Sequence, residues 1–530
     1  MRTSHSLIAG AIALVLGTIA GNAQADNDRY IVQFKDNGAR GAHRALGGAG
    51  ADIKLTLNSV NAVAAEIPQQ ALSGLRNNPN IEYIEIDPKR YPSSLRDTEY
   101  TTYGITAVQA DAVTYQGGKM VCVIDSGYAS GHPDLQTNVS GSSGSAGPWD
   151  EDGLQHGTHV AGTISAIGNN NKGVVGVIPG ADAELHIVRV FNDTGGFTYA
   201  SGLVGALADC ETAGAEVINM SLGGTFKSRT EDRAFAAAEG RGVLSIAAAG
   251  NDGNGRHSYP ASYGSVVSVA AVDEFLSHAD FSQTTSQVEL SGPGVHVLST
   301  VPVNTGSEAS ATVGGADYIG DMMDGAAAGS ASGKLVDCGL GTSSCSGASG
   351  NICLIQRGDI SFAEKVEACQ SGGGSAAIIY NNVAGPLLGT LGDAPTTNIP
   401  AIGVSDQDGA AMAIGADATV SIDISDYAFF DGTSMATPHV AGVAALVWSN
   451  HPECNNLEIR DALRRNALDL ETSGRDDLTG YGLVQAQATV DDIDSNGCTG
   501  AGGGGGGGGD DGGGNGGGGK PCNPRKEDCS

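Results

Sequence analysis

Three short segments each put a reactive side chain where a strand ends or a helix begins. In VCVIDSG, Asp125 stands just past an apolar run, and Ser126 and Gly127 turn the chain; in an open α/β sheet the carboxyl ends of strands are where sites form. In QHGTHVAGT, His156 opens a stretch rich in Ala and Val. In FFDGTSMATPHVAG, Ser434 opens an apolar run that reads as a helix to Asn450, before His451 and Pro452 stop it. A helix N-terminus offers unpaired N–H groups and the positive end of a dipole, which suit an oxygen that becomes negative during a reaction. Pro438 is expected in the first turn, where no N–H bond is lost.

A serine hydroxyl is a weak nucleophile until a base takes its proton, and the base needs a third group to fix its tautomer and hold its charge. Asp125, His156 and Ser434 supply those roles in chain order. An α/β-hydrolase runs serine, acid, histidine and carries G-x-S-x-G, so a lipase or esterase is disfavoured. Asp431 adds a carboxylate just before the serine, where its charge is expected to alter pH dependence without removing a catalytic part. His159 invites a metal pair with His156, but no third ligand follows, so it reads as a packed, hydrogen-bonded histidine. His439 reads the same way.

Together the three motifs resemble the subtilisin-like proteases (subtilase, S8 family). The resemblance implies a serine endopeptidase that cleaves protein or peptide substrates through an Asp125–His156–Ser434 triad and an acyl-enzyme. It makes Asn251, in SIAAAGNDG, the side-chain donor to the oxyanion beside the Ser434 backbone N–H. Ser221, Leu222 and Gly223, in NMSLGG, become the edge on which an extended substrate adds as a strand. Ala248 and Gly250, in AAAG, form a wall of the primary specificity pocket, and Ser258 stands at its floor, where relatives often carry glycine, and should narrow it. A structural Ca²⁺ is implied on hard oxygen ligands: Asp134, with Asn170 or alternatively Asn169 in the loop IGNNNKGV.

These residues need a scaffold, and 530 residues allow on the order of two to four domains. From Tyr103 to about Pro302 short apolar runs (MVCVIDSG, AELHIVRVF, AEVINMSLGG, GVLSIAAAGN) alternate with Ala-rich helical segments, which predicts an α/β fold with a parallel sheet flanked by helices. Ahead of it, RYIVQF, SVNAVAAEI and IEYIEIDP read as strands, with a helix in QQALSGLRNNP, forming an α+β unit. Between residues 306 and 424 glycine and serine rise, and four cysteines (338, 345, 353, 369) cluster around a strand ICLIQRG, a helix SFAEKVEAC with Ser361 and Glu364 at capping-box spacing, and a strand SAAIIYNN. The first unit resembles an inhibitor-type, ferredoxin-like propeptide, and the second a protease-associated (PA) domain.

The division that follows is residues 1–25 as a signal peptide, 26–95 as the propeptide, 96–305 and 425–497 as a discontinuous catalytic domain, 306–424 as the inserted PA domain, and 498–530 as a glycine-rich linker with a short Cys-bracketed tail. The signal reading rests on Arg2, the apolar run Leu7–Ala20 and Ala23-Gln24-Ala25. It places the mature protein outside the cell, secreted, without a membrane span and, by expectation, a monomer inhibited by its own propeptide until cleaved. A net charge of −31 repels phosphate backbones and anionic membranes, so nucleic acid is a poor partner. Ten cysteines in an exported chain without C-x-x-C favour disulfides over metal; Cys122 with Cys210 and Cys454 with Cys498 are candidate pairs. The competing reading is a peptide- or glycan-binding protein that acts through the PA-like module and keeps the protease fold as a scaffold. On the leading reading the module overhangs the cleft, restricts large substrates and contributes no catalytic group.

Overall fold

Alternate residues of the strand that ends at Asp125 face two different hydrophobic cores, and the rest of the central domain is arranged around that division. The computed structural model describes residues 29–86 without 36–37, 58–60 and 69–70, and residues 99–500 without 181–182, 384 and 393–395. The expected signal peptide, and the glycine run with the tail past residue 500, lie outside the described residues.

The N-terminal unit runs β1 (Arg29–Phe34), α1 (Ala39–Gly48), β2 (Asp52–Leu57), β3 (Ala62–Glu66), α2 (Leu72–Arg76) and β4 (Ile81–Ile86). Its antiparallel sheet has the order β2-β3-β1-β4, a ferredoxin-like arrangement. Tyr30, Val32 and Phe34 alternate onto the face covered by Leu46, Leu72 and Leu75. Arg76 reaches the next domain, its Nη1 lying 3.5 Å from Ser277 Oγ.

The central domain begins with α3 (Tyr103–Ala107), β5 (Val121–Asp125), β6 (Ser140–Ser142), α4 (His156–Ser165), β7 (Leu185–Arg189), α5 (Ala200–Ala213), β8 (Val217–Met220), α6 (Arg229–Glu239), β9 (Leu244–Ala248), β10 (Val266–Val272), β11 (Val288–Pro293) and β12 (Val297–Thr300). Seven of its strands form a parallel sheet in the order β11-β10-β9-β8-β5-β7-β6. The chain leaves β5 on one side for β6 and β7 and then crosses to the other for β8, so Asp125 ends the strand at the topological switch point, where open sheets place their sites. Val121 and Val123 enter one core, whereas Cys122 and Ile124 enter the other with Leu203, Leu207 and Phe235 of α5 and α6.

At residue 306 the chain departs into β13 (Gly306–Val313), β14 (Ala316–Met322), β15 (Gly329–Asp337), β16 (Ile352–Gln356), α7 (Phe362–Ser371), β17 (Ala376–Tyr380), β18 (Ala401–Val404), α8 (Asp406–Ala411) and β19 (Asp417–Ser425). The strands close into a barrel, β13-β14-β18-β17-β16-β15-β19. Its interior holds Val313, Leu335, Ile352, Leu354, Ile378 and Val420, and α7, opened by the Ser361/Glu364 capping box, covers the outer side of β16 and β17 through Val366 and Cys369.

The chain then returns as β20 (Tyr427–Phe430), antiparallel to β12, and enters α9 (Thr433–Asn450), α10 (Asn456–Arg465) and α11 (Ala486–Asn496). Nearly every side chain of α9 is buried, the mark of a helix through the middle of a core. Disulfides join Cys122 to Cys210, Cys338 to Cys345, Cys353 to Cys369 and Cys454 to Cys498. Among the described residues no helix is long and apolar enough to cross a membrane.

Candidate active site

Asp125 is fully buried, and its Oδ1 accepts from His156 Nδ1 at 2.7 Å and from the Ser126 N–H at 2.7 Å. Because Nδ1 must carry the proton to make this bond, Nε2 keeps its lone pair. His156 is the first residue of α4, whose N-cap, Gln155, is left-handed and makes no side-chain cap. The cap is supplied from elsewhere. Asp152 Oδ2 accepts from the Thr158 N–H at 2.8 Å and its hydroxyl at 2.6 Å, while Ser126 Oγ accepts from the Gly157 N–H at 2.8 Å and donates to Asp152 Oδ1 at 2.9 Å. Burial pulls the His156 pKa down, but attraction and hydrogen bonding to Asp125, with a further pull from Asp152, outweigh it and raise the pKa above its ordinary value. Asp152 was not singled out from sequence; an acidic residue just ahead of a helix start was the available signal.

Ser434 is the second residue of α9, so its N–H is one of the four that a helix leaves unpaired. Pro438 does not lie in the first turn as expected but inside the helix. A proline there removes the N–H that would bond to the carbonyl four residues back, which is that of Ser434. Ser221 Oγ takes the vacant place, donating to the Ser434 carbonyl at 2.7 Å, and Ser434 Oγ in turn donates to the Ser221 carbonyl at 3.1 Å. The proposed nucleophile is thus tied to the proposed substrate edge, and its hydroxyl proton points to Ser221 rather than to His156.

Asn251 Oδ1 accepts from the Thr433 N–H at 2.9 Å and the Thr433 hydroxyl at 2.8 Å. Two donors on one end of the amide assign that end as oxygen and leave Nδ2 free to donate. A Cβ built on Gly432, whose φ is 151°, would lie 3.4 Å from Asn251 Nδ2 and 3.5 Å from the Ser434 nitrogen, so the two nitrogens stand beside the same turn. Thr433 was missed from sequence because its role is visible only once residues 182 positions apart are in contact. At the pocket, a Cβ on Gly223 would overlap the Ser258 hydroxyl, and Ser258 also lies against Gly250. Ala248 ends β9 and is buried, as is Ser221, while Leu222 is half-buried. The residues named from the motifs therefore meet at one end of the sheet.

The subtilase family profile matches residues 116–335 and 398–482, more than half of the chain. The chain belongs to the subtilase family. Between the two matched stretches a PA domain profile matches residues 331–412, so the barrel interrupts the subtilase fold. The chain is 28% identical to subtilisin J of Geobacillus stearothermophilus over 87% of this chain and 90% of that one. It is 30% identical to the M-protease of Shouchella clausii over 81% and 79% respectively. Among solved structures it is similar to the psychrophilic subtilisin-like protease Apa1 from the Antarctic Pseudoalteromonas sp. AS-11, with 44% identity and a TM-score of 0.66 over 76% of this chain and all of that one. This subtilase is a serine endopeptidase.

Asp134 is also fully buried. Asn170, not Asn169, is the asparagine that reaches it, its Nδ2 donating to Asp134 Oδ1 at 2.6 Å, while the Val174 N–H donates to Oδ2 at 2.9 Å. Tyr427 at the start of β20 adds its hydroxyl. Burial, reinforced by Glu99, pushes the Asp134 carboxyl up to about 6 against these hydrogen bonds. Two carboxylates and an amide around a buried charge suit Ca²⁺ in their chemistry. One detail differs from the expectation: Asn170 Oδ1 accepts from the Lys172 N–H at 2.8 Å, so the amide must turn over before its oxygen can serve as a ligand. His159 is packed against backbone carbonyls. Its Nε2 lies 3.0 Å from the Val297 carbonyl and 3.1 Å from that of Ala428, and burial, aided by neighbouring His156, lowers its pKa to about 3. His439, bonded to the Met435 carbonyl at 2.8 Å, is lowered by burial to about 4.

Proposed function

We propose that the chain is a secreted, self-processed precursor that cleaves peptide bonds through Asp125, His156 and Ser434, and the observation that carries the cleavage chemistry is the 2.7 Å pairing of half-buried His156 with buried Asp125 at the switch point of the sheet. A substrate strand adds to Ser221–Gly223 and competes for the Ser221 carbonyl, which frees the Ser434 hydroxyl to turn toward His156 Nε2. His156 takes the proton as Ser434 Oγ attacks, and Asp125 stabilises the imidazolium. The Ser434 N–H and Asn251 Nδ2 hold the oxyanion. His156 then returns the proton to the leaving amine, and water hydrolyses the acyl-enzyme by the same route in reverse. Ser258 between Gly223 and Gly250 supports a shortened primary pocket. The ferredoxin-like unit acts as the propeptide. When bound, Ca²⁺ supplies charge compensation to Asp134, with Asn170 and Glu99 beside it, and takes no part in the chemistry.

The test is Ser434→Ala. The variant should hydrolyse no casein and accumulate as an uncleaved precursor, whereas the wild type should lose residues 26–95 and stop working after a serine-directed covalent inhibitor. A Ser434→Ala chain that matures in a host free of other proteases overturns self-processing.

A further inference from the structure

The strand that carries the chain out of the barrel is held between two imidazoles. On one side His159 of α4 stacks on Phe430, with ring centroids 4.4 Å apart and planes within 9°. On the other His296, in the loop between β11 and β12, stacks on Phe429 at 3.9 Å and 10°. His159 is accounted for by its two carbonyl partners. His296 makes a different set of contacts: its Nε2 lies 3.1 Å from Oδ1 of Asp321, a barrel residue on β14 that is only 6% exposed. A carboxylate buried at that depth needs a partner, and here the partner belongs to the other domain.

The same residue grips the turn that precedes Ser434. The His296 N–H donates to Asp431 Oδ1 at 2.6 Å, and the Gly432 N–H donates to the Gly294 carbonyl at 2.8 Å. His296 sits at φ 53°, a left-handed conformation uncommon outside glycine. Such a conformation persists where its surroundings over-determine it, and the ring stack, the Asp321 contact and the Asp431 bond do so together.

We propose that His296 is a positioning residue through which the barrel steadies the nucleophile turn, with Asp321 holding the imidazole and the His296 backbone holding Asp431. This rests on the reading of Ser434 as nucleophile, and it replaces the expectation that the inserted module acts on substrate access alone. Around the imidazole stand Asp321 from β14, Asp431 from the turn and Glu274 from the loop after β10, and the Tyr103 hydroxyl of α3 donates to the adjacent Val295 carbonyl at 2.6 Å. Burial opposes the charged ring, but these carboxylates outweigh it and raise its pKa. The grip is therefore strongest while the ring is protonated and slackens as pH rises through that raised value.

Asp321→Asn keeps the shape of the contact and removes its charge; His296→Asn removes the ring while tolerating positive φ. With the full-length, matured enzyme and a small chromogenic peptide, each should lower kcat by about two- to thirtyfold, the range for coupling through a neighbouring element, with KM nearly unchanged. The ratio of wild-type to Asp321→Asn kcat should shrink toward one as pH climbs. The double variant should lose no more than the worse single one. The proposal is overturned by folded, matured variants with wild-type kcat, by a loss that is the same at every pH, or by additive losses. If Asp321→Asn does not mature, the His296→Asn kcat and the alkaline decline of the wild type decide the matter. A wild type that neither cleaves the peptide nor reacts with a serine-directed inhibitor would instead refute the nucleophile reading on which this stands.

Discussion

His156 and His296 are each set against a buried carboxylate, at 2.7 and 3.1 Å, yet the two pairs are built differently. Asp125 and His156 come from β5 and α4, which pack against one core, and Asp152 and Ser126 brace the helix that bears the histidine. Asp321 belongs to a barrel with a core of its own, so its meeting with His296 depends on how two domains dock. The first pair lies within one domain and the second joins two. Asp134 extends the series: it is a third buried carboxylate, held by hydrogen bonds from Asn170, Val174 and Tyr427 rather than by a histidine.

Removing the Asp125–His156 pair should have the largest effect. Asp125→Asn should lower kcat by roughly 10⁴, the magnitude characteristic of such triads, because the amide favours the wrong tautomer of His156. In the wild type kcat should rise with pH through the raised His156 pKa, since only the neutral ring can act as base. A limb that sits below the ordinary imidazole range would contradict the pairing. Next comes the donor that Thr433 orients: Asn251→Ala should lower kcat by about 10²–10³ with little change in KM. Thr433→Val, which removes the hydroxyl donor to the amide oxygen and leaves only the backbone N–H, should cost up to about tenfold. If Thr433→Val is silent, the orientation of Asn251 has another source.

The smallest effect on catalysis, and a distinct one on stability, is expected at Asp134. A ligand that binds only the native state at about 100 times its Kd adds roughly 2.7 kcal/mol, or about 5–10 °C in Tm for a domain of this size. EDTA should therefore lower the Tm of the wild type and leave that of Asp134→Ala unmoved. An EDTA-insensitive wild type would show that the hydrogen bonds from Asn170, Val174 and Tyr427 suffice for this carboxylate.

The end of β5 was legible because VCVI is apolar up to Asp125, and the existence of α9 because of its Ala/Val-rich run from Val440 to Trp448, although its start was placed late. The partners of the site residues were not. Thr433, Asp152 and Asp321 are ordinary polar residues whose roles arise from contacts across 182, 26 and 25 positions, and of the three only Asp152, an acidic residue just ahead of a helix start, left a local signal. Pro438 was read as a first-turn residue because the helix start was placed too late, and α1 and β2 were overlooked although Ala42 and Leu46 stand one helical turn apart in ARGAHRALGG and Ile53, Leu55 and Leu57 alternate with polar residues in DIKLTL. Asn170 was named, but which end of its amide faces Asp134 depends on the Lys172 N–H, which sequence does not reveal.

The barrel closes on itself, β19 pairing with both β13 and β15. Closure leaves no row of unpaired N–H and C=O groups for another chain to continue. On the proposed reading an extended peptide adds as a strand at Ser221–Gly223, but it would find no such seam along the closed circuit of the barrel. Any protein the barrel engages must be recognised through its loops and side chains, so its choice of partner can diverge freely while the strand-reading cleft, which grips backbone, stays indifferent to that change.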